Sequence, residues 1–292
     1  MNHHHQAASS LIPEDHNNTS TIPTIESLEP DAFASLIPSL LALRPSLPRS
    51  NHSESSFVDL AQNIVLRRAG EAASAAVLSN YLQPPFEDQD AVDNANSIVD
   101  IIMKLSFDDI QLYRPAIESI ATSDRLAADH LERHIFLQDD VKSIIRFAND
   151  HNAIWVHTYK FDIMAARTLR ERIKTPEQLR PLVPDLLDWL ADINWPPFKA
   201  CWDALAVFPE VTVMPIRDLL SSKRGDGGWL SYVLRFITHC VPVGELWEEF
   251  RPQVQALVDD AKGDEEEWEL ADEAREWLKM LDEHWEMGKL RQ

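Results

Sequence analysis

Apolar residues recur three and four positions apart through most of this 292-residue chain, and only seven glycines interrupt them. That pattern lines apolar side chains along one face of a 3.6-residue turn, so the chain must bury helices against helices. The best strand candidate, Val211-Thr212-Val213, is isolated and runs into Met214-Pro215. The expected fold class is therefore all-α.

The charge balance narrows the partners. With 48 acidic against 27 basic side chains the net charge is −21, and such a field repels phosphate backbones and anionic membranes. Nucleic acid and membrane partners are not expected. Cys201 and Cys240, in apolar helical contexts without CxxC spacing, read as two reduced, buried thiols. The amino-terminal residues lack a basic region followed by an apolar core, and no run approaches membrane-spanning length. A cytoplasmic protein is the expectation.

Residues 1–54 mix Ser, Thr, Asn, His and Pro with scattered apolar residues, which reads as a disordered tail. A short helix is expected within it over 31–43. From Ser56 a long helix is predicted as far as Leu82, then others over 91–105, from Ser106, over 124–136, over 138–149 and over 152–173. These form an amino-terminal helical region, 55–157. His130 and His134 stand one turn apart on a helix, the spacing zinc takes from a helix, but no third ligand is spaced recognisably and the surroundings read as a solvated face. His3, His4, His5 and His16 sit in the tail, where nothing rigid would hold a metal. Glu87-Asp88-Gln89-Asp90 with Asp93 lacks the glycine and twelfth-position glutamate of a calcium loop and reads as a charged connection. Gly-rich phosphate cradles and a Gly-x-Ser-x-Gly elbow are missing, so no cofactor is implied.

The densest signal is Pro184-Asp185-Leu186-Leu187-Asp188-Trp189-Leu190-Ala191-Asp192-Ile193-Asn194-Trp195-Pro196-Pro197. Pro184 and Asp185 suit a first helical turn, and Leu186, Leu187, Trp189, Leu190 and Ile193 give it an apolar face. Asn194 tolerates a helix exit and Pro196 suits a new first turn, so Ile193 to Pro196 reads as a tight corner with Trp195 in its crease.

This stretch resembles the hallmark of the DUF5071 family, whose members usually read Leu-Leu-Glu-Trp-Leu-Gln-Asp-Met-Asn-Trp-Pro. Lys160-Phe161-Asp162 with Leu169 resembles the family's opening. Ile216 to Leu220, then Asp226 with Trp229 and Tyr232, resemble later elements, and Trp268, Ala274 and Leu278 its last helix. Ala191, Ile193 and Leu230-Ser231 depart from the usual residues, and Lys223 to Gly228 reads as a longer, flexible connection. The resemblance covers about 158–286 and implies a helical domain of unestablished function over 158–292.

Further helices over 196–208, 212–222, 228–239, 243–260 and 264–284 give successive hairpins entered by Pro184, Pro196, Pro215 and Pro242. Such a right-handed array resembles HEAT or armadillo repeats. The functional expectation is a noncatalytic protein-interaction module with a protein partner. Trp189, Asp192, Asn194, Trp195, Pro196, Asp226 and Trp229 are its hallmark residues, binding or structural. The alternative is an enzyme with a fold-assembled polar site near Asp192 and Asn194, or a metal site at His130 and His134.

Overall fold

A computed structural model describes residues 11–12, 19–42, 57–124, 126 and 134–290. Among the described residues the secondary structure is helical and no strand forms. Val211-Thr212-Val213, the strand candidate, is a 3-10 turn entering a helix. The chain divides into two compact units, Met1–His151 and Asn152–Gln292.

The first unit runs α1 (Ile22–Glu26), α2 (Pro30–Leu41), α3 (Phe57–Arg68), α4 (Ala72–Ser79), α5 (Gln89–Ile102), α6 (Phe107–Ile110), α7 (Arg114–Ala121) and α8 (His134–Asn149). The short helix expected over 31–43 forms as α2, and α1 precedes it. Phe33, Leu36, Ile37 and Leu40 repeat at i, i+3, i+4 and i+7, and all four are buried as α2 packs against α3 and α4. Arg68 clasps the pair. Its Nη1 donates to the Leu28 carbonyl at 2.7 Å, its guanidinium lies 4.3 Å from the Phe33 ring centre, and Nε and Nη2 grip Glu71 at 2.7 and 2.9 Å. The histidines of the expected tail lie outside the described residues.

The long helix predicted to Leu82 breaks between α3 and α4 at Ala69-Gly70-Glu71. A Cβ at Gly70 would stand 2.8 Å from Asp109 Cγ, so glycine admits the carboxylate that Ser106 Oγ bonds at 2.7 Å. Ser106 caps α6 through Asp109 N, and Asp88, in the acidic connection, caps α5 through Ala91 N at 2.8 Å. The predicted helix over 124–136 falls largely outside the described residues.

The second unit runs α9 (Ile163–Arg172), α10 (Pro176–Leu179), α11 (Val183–Asp188), α12 (Phe198–Val207), α13 (Val213–Ser222), α14 (Gly227–Cys240), α15 (Glu245–Glu248), α16 (Arg251–Asp259) and α17 (Leu270–Leu290). One apolar core joins them, from Leu169 and Leu179 through Leu230 and Phe236 to Trp247, stacked on Trp277 at 4.6 Å. Two expectations change here. The helix predicted over 152–173 starts only at Ile163, because the Asp162 side chain caps it through Ala165 N at 3.0 Å. The last helix starts at Leu270 rather than 264, after Glu269 turns at φ 51°. Of the two thiols, Cys201 is buried and Cys240 only half-buried.

The Lys223–Gly228 connection, expected to be flexible, is bound to the loop before α17. Glu265, 1% exposed, accepts Arg224 Nε and Nη2 at 2.8 and 2.9 Å, Gly225 N at 2.7 Å and Lys262 N at 2.8 Å. Asp264 Oδ1 accepts Gly227 N at 2.5 Å. Gly225 and Gly263, both at positive φ, touch: a Cβ on Gly263 would lie 2.3 Å from the Gly225 oxygen. Glu265 is thus a core anchor rather than part of a solvated acidic face.

Candidate functional site at the Asn-Trp-Pro corner

Leu186, Leu187 and Leu190 are buried and hold α11 and its closing 3-10 turn, Trp189–Ala191, on the core. The helix does not reach Ile193. Asp192 leaves it in an extended conformation, φ −144° and ψ 116°, and its Oδ1 accepts both the backbone N–H and the side-chain Nδ2 of Asn194, at 2.8 and 3.0 Å. Trp195 N then returns to the Asp192 carbonyl at 3.0 Å, and Phe198 N to the Trp195 carbonyl at 2.9 Å. Pro196 is exposed, and α12 starts after Pro197 rather than at Pro196. One short polar circuit thus folds the corner without help from a distant group.

The aromatic rings line the inner side of that turn. Trp195 meets Trp189 edge-to-face at 5.4 Å, Trp189 meets His157 at 6.0 Å, and Lys160 Nζ lies 5.0 Å from the Trp195 ring centre. The Lys160 contact puts the segment before α9 beside the corner. Trp229 reaches α11 from another direction, donating Nε1–H to the Leu187 carbonyl at 3.1 Å. That bond adds a side-chain donor to a carbonyl in the last turn of α11, which the Trp189 N–H also reaches. Asp226 instead caps α14 through Trp229 N at 3.1 Å, beside the Arg224 and Glu265 pair. The hallmark residues therefore fall into two groups, a corner formed by Trp189, Asp192, Asn194, Trp195 and Pro196, and a helix start formed by Asp226 and Trp229.

Behind the corner, Cys201 is the buried thiol expected, whereas the partners of His157 and Asp162 are not legible in the sequence. His157 is buried, with Nδ1 3.8 Å from Cys201 Sγ; burial pushes its pKa below the ordinary histidine value, against the opposing pull of Asp162. Burial also pushes the Cys201 thiol up to about 12, so it stays protonated. Asp162, 2% exposed, accepts the Trp155 indole N–H at 3.1 Å as well as the α9 cap. The available signal was a capping Asp before Ile163, hidden by the continuous helix predicted across it.

At the corner the Asp192 oxygen that reaches Asn194 is already bonded, and behind it the Cys201 thiol is held neutral. Among the described residues no three His, Cys, Asp or Glu side chains stand where they could hold a metal ion. His130 lies outside the described residues, and of His134 only the backbone at the start of α8 is described.

Residues 155–278 match the family model DUF5071, a domain of unknown function. That segment is a DUF5071 domain. The match starts at Trp155, the donor to Asp162, and ends at Leu278 in α17, so the DUF5071 domain takes in the corner, the Trp229 bond and the Glu265 anchor together. No curated protein matches the chain. Among the described residues no helix is long and apolar enough to cross a membrane.

Proposed function

We propose that the DUF5071 domain is a noncatalytic protein-interaction module and that its corner is the contact. The supporting observation is that Ile193, 51% exposed, stands on a turn whose own polar groups are engaged, beside a segment that exposes Phe161 and Ile163 at 52% each. Single apolar residues on a surface need no explanation, but three on two adjoining segments form a patch a partner can cover. Lys160 next to the patch favours a partner that brings an acidic group alongside its apolar one. A HEAT-like stacking of successive hairpins, a cytoplasmic location and a protein rather than a nucleic-acid or membrane partner belong to the same proposal.

A photo-cross-linking amino acid at position 193 tests this in cells that make the protein. One recurrent protein should cross-link there, and Ile193→Asp should abolish its association while leaving the melting temperature within about 2 °C of wild type. Cross-links to no protein, or a large loss of stability in Ile193→Asp, would count against the reading.

A further inference from the structure

The second unit opens on a stretch whose charge runs against the rest of the chain. Residues 155–182 carry six basic and three acidic side chains, in a chain that carries 27 and 48. Asp162, one of the three acids, is buried as the cap of α9, and Glu171 is shared, its carboxylate accepting Arg167 Nε at 3.0 Å and Arg170 Nη2 at 3.2 Å. One carboxylate between two guanidinium groups leaves a positive charge over, and the Arg170 side chain is 72% exposed. Lys174 and Arg180 are exposed too, and among the described residues neither has an ion pair. The helix packed against α9, α12, brings only the pair Lys199–Asp203 and so no net charge.

The helices themselves do not account for this excess. Arg170 and Arg172 complement the dipole at the end of α9, but Lys174 stands directly before Thr175, the cap of α10, where the dipole disfavours a cation. The cations also follow one face. Ile163, Arg167 and Arg170 fall at i, i+4 and i+7 of α9, and Lys174 comes four residues on. The stripe begins at Phe161 and Ile163 and runs about 15 Å, ten residues of helix at 1.5 Å each.

We propose that this face holds an acidic segment of a partner protein, laid along α9 with an apolar side chain on Phe161 and Ile163 and its carboxylates on Arg170, Lys174 and Arg180. The inference extends the contact proposed at the corner and rests on that reading. About five residues of extended chain, at roughly 3.3 Å each, cover the stripe. A nucleic acid fits it less well: its phosphates would run past the stripe into the field of a chain of net charge −21, and it brings no aliphatic group to the apolar end.

Fluorescence anisotropy of the full chain with a labelled peptide, paired leucines followed by a run of glutamates, tests this at roughly 0.15 M salt, where charges beyond about 8 Å are screened. The peptide should bind, and a version with glutamines in place of the glutamates should bind at least about tenfold more weakly. Arg170→Glu and Lys174→Glu should each weaken binding at least about fivefold with the melting temperature unchanged, because both side chains are exposed. Lys142→Glu, the same charge change on α8, should alter it less than about twofold. No binding, equal affinity for the glutamine peptide, indifference to Arg170→Glu and Lys174→Glu, or tighter binding of a labelled single-stranded oligonucleotide would each overturn the proposal. Ile193→Asp separates it from the corner reading, since peptide affinity unchanged in that variant counts against the corner and leaves the stripe standing.

Discussion

Arg224 and Glu265, 41 residues apart, meet through two parallel bonds of 2.8 and 2.9 Å that join the loop before α14 to the loop before α17. Burial alone would push the Glu265 carboxyl up, but the bonds from Arg224, Gly225 and Lys262 outweigh it and hold the group below the ordinary carboxylate value. Removing one member of a buried pair leaves the other without its counter-charge. Glu265→Ala should therefore cost about 3 kcal/mol in urea unfolding. The folded-state pKa is depressed, so the stabilisation is complete above the unfolded value of 4.5 and is lost as pH falls through the folded value. A plot of unfolding free energy against pH should be flatter between those two values in Glu265→Gln than in wild type.

His157 gives a second pH signature, in a higher range. Its folded pKa lies below the unfolded value of 6.5, first because of desolvation and despite Asp162. Between the two values the unfolded chain binds the extra proton, so stability declines as pH drops below 6.5 and levels off once pH passes the folded value. Comparing wild type with His157→Gln from pH 7.5 to 5 by thermal denaturation should show the decline in the former and its loss in the latter.

At the corner, Asp192→Ala removes both bonds to Asn194. An exposed polar turn of this kind contributes about 1 kcal/mol, so the melting temperature should fall by a few degrees with helix content unchanged. Asp192→Asn, which keeps an acceptor oxygen, should recover most of the difference.

Arg68 carries a comparable role in the first unit, through the Leu28 carbonyl, the Phe33 ring and Glu71. Replacing it with Met keeps bulk but removes the donors and the charge over the ring. Hydrogen exchange in α2 should accelerate about tenfold in Arg68→Met, while α5 and α8 retain their protection.

Much of this architecture follows from signals within one turn of helix. Ser106 could be recognised as a cap from its own neighbours, and the apolar stripe of α2 was visible within the tail, though the Ser and Pro around it masked its packing. Asp192 and Asn194 announced a corner because their bonds span two residues. Glu265 could not be found that way. Arg224 and Gly225, which hold it in the core, are 41 and 40 positions away, and its acidic neighbours Glu266 and Glu267 are exposed, so in sequence it looks like one more solvated acid. Gly70 was equally silent, since what excludes a side chain there is Asp109 of a different helix. Local periodicity describes a helix's face, whereas a break made by a distant carboxylate is decided only after packing.

The contact between Gly225 and Gly263 has a consequence for anyone who recombines helical proteins. Gly225 occupies the volume that a side chain at Gly263 would need, and its own positive φ disfavours a side chain in its place, so neither connection can be exchanged for a foreign one on its own. A transplant of α13 and α14 into another scaffold has to bring the α16–α17 connection with it, and random shuffling at this junction should yield folded chimaeras only when both loops come from the same parent.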